Sequence, residues 1–143
     1  MLFPKKVKFR KWQTARKLAD RRKSPDSRGL KLRMGEYGLR ASSQARITSN
    51  SIESARKVLT REIGKYGKYW IRVFPDRPLT KKPAELGMGK GKGDPYAFCA
   101  DVKPGRILFE VGNVSEPIAR EALRKAGTKL PIRSKVVSVN ELR

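Results

Sequence analysis

Apolar positions recur at helical spacing in two stretches of the chain. Ile52, Ala55, Leu59, Ile63 and Tyr66 follow at intervals of three and four, which puts them on one helix face. Arg56, Lys57, Arg61 and Lys65 lie mostly away from it. Thr48, Ser49 or Asn50 can cap its start, Glu53 falls in the first turn where the macrodipole favours a carboxylate, and Gly67 is a natural stop. A second helix is predicted after Ser115 as N-cap, with Glu116 and Pro117 in its first turn. Ile118, Ala119, Ala122, Leu123 and Ala126 form its apolar face, and Gly127 ends it. Elsewhere the pattern is that of strands. "RMGEYGLRA" (33–41) reads as a short strand bent at Gly35 and Gly38, and "KYWIRVFP" (68–75) as a run of strong β-formers ended by Pro75. "YAFCADV" and "RILFEVG" flank Lys103-Pro104-Gly105, which predicts a hairpin turn, and "KVVSV" (135–139) is the last strand. No internal repeat is present. Two helices against mostly antiparallel strands predict one α+β domain over 34–143, preceded by an extension over 1–33.

A chain of 143 residues suits a single domain, and a hydrophobic fraction of 38% fills one modest core. Charge changes the picture most. Lys and Arg number 35 against 13 Asp and Glu, a formal net charge of +22 at pH 7. Self-repulsion of that size opposes a compact state unless a polyanion screens it, so nucleic acid is the expected partner. A membrane surface is the competing partner, but it calls for a basic helix with a bulky apolar face, and both helices here have small faces rich in Ala. No apolar run approaches the ~18 residues of a span, and "MLFPKKVKFRKW" lacks a signal-peptide core. The expectation is a soluble protein in a reducing compartment, where Asn113-Val114-Ser115 is a chance sequon.

Candidate chemistry narrows by elimination. Cys99 is the single cysteine and histidine is absent, which excludes an intrachain disulfide and zinc sites of the Cys/His kind. Between Phe98 and Ala100, Cys99 reads as a small buried apolar residue in a strand. No histidine can act as general base, no carboxylate pair stands out, and Glu85 and Asp94 sit alone among cations, so catalysis is not expected. No cofactor or metal is expected either.

Two segments lie outside the helical and strand patterns. The first is the basic extension, where Lys5, Lys6, Lys8, Arg10 and Lys11 are interleaved with Phe3, Phe9 and Trp12. These aromatics can stack on RNA or anchor the arm to the domain, and the sequence leaves both open. The second is the long Pro/Gly/Lys stretch of 76–95, a loop of about twenty residues between strands, long enough to be functional or disordered. Its "MGKGKG" places Lys90 and Lys92 between glycines. It is not a nucleotide loop: Gly91-Lys92 is followed by Gly93 where a Walker A motif needs Ser or Thr, and Asp94 stands where a dinucleotide fingerprint needs glycine. Alternating Gly and Lys instead suits close approach to a nucleic-acid backbone.

"MLFPKKVKFRK", "RITSNSIESARKVLTR", "YWIRVFPDRPLTKKPAE" with "MGKGKG", and "VKPGRILFEVGNVSEPIAREALRKAGTKLPI" together resemble the large-subunit ribosomal protein family called L-sixteen, kin of the L-ten-e proteins, over nearly the whole chain. The resemblance implies an α/β-hammerhead type of α+β fold. It implies a non-catalytic constituent of a bacterial cytoplasmic or an organellar ribosome, not a homo-oligomer. Its implied partners are large-subunit rRNA near the central protuberance and tRNA-binding cleft, tRNA, and neighbouring ribosomal proteins. By the same resemblance Lys5, Lys6, Lys8, Arg10 and Lys11 run into rRNA; Arg56 and Arg61, on the basic side of the first predicted helix, are available to its phosphates and are expected to join them. Lys81, Lys82, Met88, Gly89, Lys90, Gly91, Lys92 and Gly93 reach toward the peptidyl-transferase region and bound tRNA. Three departures stand out. Gly87 occupies a position where the family commonly has arginine, Ala97 and Asp101 replace larger or apolar residues, and the segment around 18–33 is longer than usual.

Overall fold

The computed structural model describes residues 2–13 and 24–142, so the first part of the 18–33 insertion lies outside the described residues. Seven strands and two helices follow in the order β1 (Tyr37–Ala41), β2 (Ala45–Thr48), α1 (Ser49–Ile63), β3 (Lys68–Ile71), β4 (Arg77–Lys81), β5 (Asp94–Val102), β6 (Ile107–Gly112), α2 (Glu116–Gly127) and β7 (Ser134–Ser138), with a short 3-10 turn at Asn140–Leu142. The strands form two antiparallel sheets, one ordered β3-β6-β1-β7 and the other β2-β5-β4. This is the α+β architecture expected from the pattern.

The helices form for the reasons their sequences carry. Of the three candidate caps it is Thr48 that closes α1, its hydroxyl accepting from the Ser51 N–H at 3.4 Å. Ser49, Ile52, Ala55, Leu59 and Ile63 face inward. The helix stops at Gly64, φ 67°, one residue after Ile63, and not at the expected Gly67. Tyr66 therefore falls beyond the helical stripe and is 86% exposed. Glu53 is also not in the first turn; it pairs with Arg56 along the helix. In α2, Ala119, Ala122, Leu123 and Ala126 are buried as expected, but Ile118 sits one position off that stripe and is half-exposed. The two helices pack on each other, α1 lying against β2, β3 and β5 and α2 against β1, β6 and β7. Leu39, Ile47, Ile52, Leu59, Phe109 and Leu123 are sealed between them, each contributing about 1.5–3 kcal/mol by leaving water.

Two expectations fail in the second half of the chain. The Lys103-Pro104-Gly105 turn forms, with the Arg106 N–H donating to the Lys103 carbonyl at 3.4 Å and Gly105 at φ 93°. It does not close a hairpin, however, because β5 and β6 belong to different sheets. The turn carries the chain between sheets, and the Gly105 N–H is taken by the Ala41 carbonyl. The twenty-residue loop is also shorter than expected, since Arg77–Lys81 pairs with β5 and only residues 82–93 are left between the strands. Pro78 is tolerated because β4 is the edge of its sheet, where a missing N–H costs no ladder bond.

The strand β6 is buried along its whole length and includes one charge, Glu110. Its carboxylate pairs with the Arg72 guanidinium and accepts the N–H groups of Met34 at 2.7 Å and Gly35 at 2.9 Å, with Arg33 longer at 3.3 Å. Residues upstream are held on the domain as well. Asp26 donates its N–H to the Pro104 carbonyl and pairs with Arg106 at 3.2 Å, and the Gly29 carbonyl accepts from Ile107.

Candidate nucleic-acid interface

The β4–β5 hairpin projects the Gly/Lys loop. Its register runs from Arg77 opposite Cys99 to Lys81 opposite Asp94, with an irregularity between Leu79 and Thr80. At the neck a Cβ on Gly93 would lie 2.6 Å from the Lys81 carbonyl oxygen, so only glycine lets the strands meet there. Beyond the neck, Gly89, Lys90 and Gly91 take φ of 105°, 54° and 89°, a run that turns the tip back on itself. Lys82 helps hold that bend by donating to the Gly89 carbonyl. Met88 is fully exposed at the tip. Gly87 differs from its neighbours: it has open space around it and no left-handed backbone, so a side chain fits there.

The N-terminal arm does not stand apart from this loop. The Lys11 ammonium donates to the Lys92 carbonyl at 3.2 Å and reaches the Asp94 carboxylate at 3.5 Å. In return, Lys92 donates to the Trp12 carbonyl. The Arg77 guanidinium lies over the Trp12 ring at 5.7 Å and donates to the Gln13 carbonyl at 2.8 Å. Arg77 is itself fixed by Asp101, which bonds Arg77 at 2.5 Å and Arg46 at 3.1 Å. The Asp101 departure thus has a structural role, since one carboxylate holds two guanidiniums side by side at the base of the hairpin. Of the two roles left open for Trp12, the structure shows anchoring to the domain, with the ring still 41% exposed.

Arm and loop therefore share one cationic surface. Lys5, Lys6, Lys8, Arg10 and Lys11 are exposed on the arm, and Lys81, Lys90 and Lys92 are exposed on the hairpin, with Lys82 partly covered. The two helix arginines are placed elsewhere. Arg56 is held by Glu53 through two hydrogen bonds, at 2.6 and 2.9 Å, and by the Tyr69 hydroxyl at 3.2 Å. The bond from Arg56 holds the Glu53 carboxyl below its usual range, and the reciprocal bonds push the guanidinium still further from deprotonation. Arg61 is exposed in the last turn of α1.

Other charges on the helices are also paired. Glu116 pairs with Arg120, Glu121 with Arg124, and Glu62 with Lys125, linking the two helices. Among the described residues Glu53, Glu62, Glu116 and Glu121 are thus each paired on the helices, while most loop lysines face solvent.

Sequence reasoning missed Arg46, Arg77 and Asp101 as a unit because they are far apart in the chain. The one available signal was an aspartate amid an apolar strand. Cys99 behaves as expected: it is fully buried, and burial, aided by the Asp101 charge, pushes its thiol up to about 11.

The family described as "Ribosomal protein L16p/L10e" matches residues 4–137. The chain is 49% identical over 141 residues to the "Large ribosomal subunit protein uL16" of Tropheryma whipplei (strain Twist), covering 99% of this chain and 95% of that one. It is also 49% identical over 142 residues to the protein of the same name from Leptospira biflexa serovar Patoc (strain Patoc 1 / Ames), covering 99% and 100%. With a match over almost its full length and relatives at this identity, the chain belongs to the ribosomal protein L16p/L10e family.

Proposed function

We propose that the protein is a non-catalytic constituent of the large ribosomal subunit that binds rRNA near the central protuberance and the tRNA-binding cleft. In this role it supports subunit assembly and positions tRNA in the A and P sites. The observation that carries the proposal is the joining of arm and loop: Lys11 and Lys92 tie the two segments into one exposed cationic surface. Lys5, Lys6, Lys8, Arg10 and Lys11 fix the protein on rRNA, with Arg61 adding a cation on α1. Arg56 contributes there only through the face it shares with Glu53, because its guanidinium is already engaged. The hairpin tip, from Lys81 and Lys82 through Met88 to Gly93, faces tRNA and the peptidyl-transferase region. The protein works on a bacterial-type ribosome, in the cytoplasm or in an organelle, a reading supported by its likeness to bacterial relatives.

Two measurements test this. On a sucrose gradient of native extract, the chain co-migrates with the large subunit after a high-salt wash; recovery only in the light fractions overturns the ribosomal role. Replacing Lys81, Lys82, Lys90 and Lys92 by Ala leaves the isolated fold intact and weakens subunit assembly or tRNA accommodation. It also makes the log K against log[salt] slope shallower by roughly 3, at about 0.7–0.9 for each phosphate that is no longer neutralised. Loss of the fold in that variant refutes the division between a structural core and a binding loop.

A further inference from the structure

The surface where arm meets hairpin is concave. A groove of about 550 Å³ is lined by Trp12, Arg77, Lys81, Lys82, Met88 and Lys92, among others. We infer that this groove takes one unpaired nucleotide of single-stranded RNA, its base against the Trp12 indole and its phosphates on the lysines. The inference rests on the RNA-binding role proposed above and names the form of RNA that this part of the surface selects.

The groove brings two chemistries together. Beside Trp12 the Asp101 carboxylate offsets one of the two positive charges of Arg46 and Arg77, so the indole and the guanidiniums present planar surface with one net positive charge. Lys81, Lys82 and Lys92 line the same groove without a carboxylate partner among the described residues, and Lys92 sits next to Trp12 through its bond to the Trp12 carbonyl. A nucleotide carries the matching pair, an aromatic base and a phosphate.

Trp12 is also held in advance of binding. Its ring lies beneath Arg77, its carbonyl accepts from Lys92, and the next carbonyl, that of Gln13, accepts from Arg77. An aromatic fixed in this way loses little further freedom when a base stacks on it. Trp12 lines the groove, and the residue stays 41% exposed. Duplex RNA does not suit such a site, because its bases are already stacked and its major groove is too deep and narrow for side chains to read. A base splayed from a loop or bulge suits it, and stacking on an aromatic is tolerant of base identity.

The test uses the full chain carrying Trp70→Phe, which leaves Trp12 as the sole tryptophan. It is titrated with a single-stranded oligouridylate, an RNA duplex of equal charge, and inorganic polyphosphate, at one fixed salt concentration. The oligouridylate quenches Trp12 emission at saturation, while duplex and polyphosphate bind without comparable quenching. Trp12→Ala then weakens oligouridylate binding about tenfold and polyphosphate binding less than about twofold, read by anisotropy of labelled ligand so that no tryptophan signal is needed. Equal quenching by all three polyanions, or oligouridylate affinity unchanged by Trp12→Ala, overturns the nucleotide site while leaving general RNA binding in place. Failure of the unsubstituted chain to bind any RNA overturns both.

Discussion

Removing the Glu110 carboxylate is expected to damage the fold more than any surface substitution. Glu110 is fully buried in β6 and serves four donors at once: the Arg72 guanidinium and the N–H groups of Arg33, Met34 and Gly35. In Glu110→Ala the arginine, whose side chain is only 19% exposed, loses its counter-charge, and the Met34 and Gly35 amides lose their acceptor. Breaking one side of a buried pair costs about 3–5 kcal/mol, and each buried donor left unmade about 1–3 kcal/mol, partly relieved if water enters. Even the lower ends of these ranges total about 5 kcal/mol, a large share of the ~5–15 kcal/mol that holds a domain of this kind together. For a chain of this size that corresponds to a fall in Tm of about 16 °C.

Glu110→Gln keeps one acceptor oxygen but no charge, so it falls between wild type and the alanine variant. The assay is urea unfolding followed by circular dichroism, with the m-value checked for constancy, alongside amide exchange at Met34 and Gly35. Exchange at those two amides should accelerate more than at Leu39, which lies in the core. If both variants stay within about 1 kcal/mol of wild type, the carboxylate does not bind the upstream segment to the sheet, and the reasoning from buried charge fails.

Other expectations follow from the hairpin and the buried thiol. Gly93→Ala forces an approach of 2.6 Å between its Cβ and the Lys81 carbonyl, so it should spread the neck, shift hairpin resonances and weaken RNA binding. Gly87→Arg meets open space, so Tm should hold while the salt slope of RNA binding steepens by about 0.7–0.9. The pH dependence of stability should carry a contribution from Cys99. Its thiol is raised on folding from 9.0 to about 11, so its contribution is complete below the unfolded value and is lost as pH rises from about 9 to about 11. The loss amounts to roughly 2–3 kcal/mol, at 1.36 kcal/mol per unit, and should be absent in Cys99→Ala, so that it appears in the difference between wild type and variant. In the native state the same thiol should resist alkylation at neutral pH and react only on unfolding.

Much of this molecule is set by local pattern. The stripes of α1 and α2, the Thr48 and Ser115 starts, the β7 strand and the burial of Cys99 follow from residue spacing, because helix faces and strand propensities are properties of neighbours in sequence. The excess of cations and the Gly/Lys alternation likewise pointed to a polyanion without reference to coordinates. The limits are equally specific. Lys103-Pro104-Gly105 encodes a turn, but a turn does not state which strands it separates, and packing assigned β5 and β6 to different sheets. Arg77–Lys81 has weak strand composition and became β4 only because β5 offered an edge to pair with. Helix α1 ended at Gly64 instead of Gly67, which carried Tyr66 into solvent. Glu110, Asp101 and Trp12 gained their roles from partners tens of residues away. Long-range pairings of this kind are decided when the sheets close, since a charge or a ring in the sequence does not specify what will face it in space.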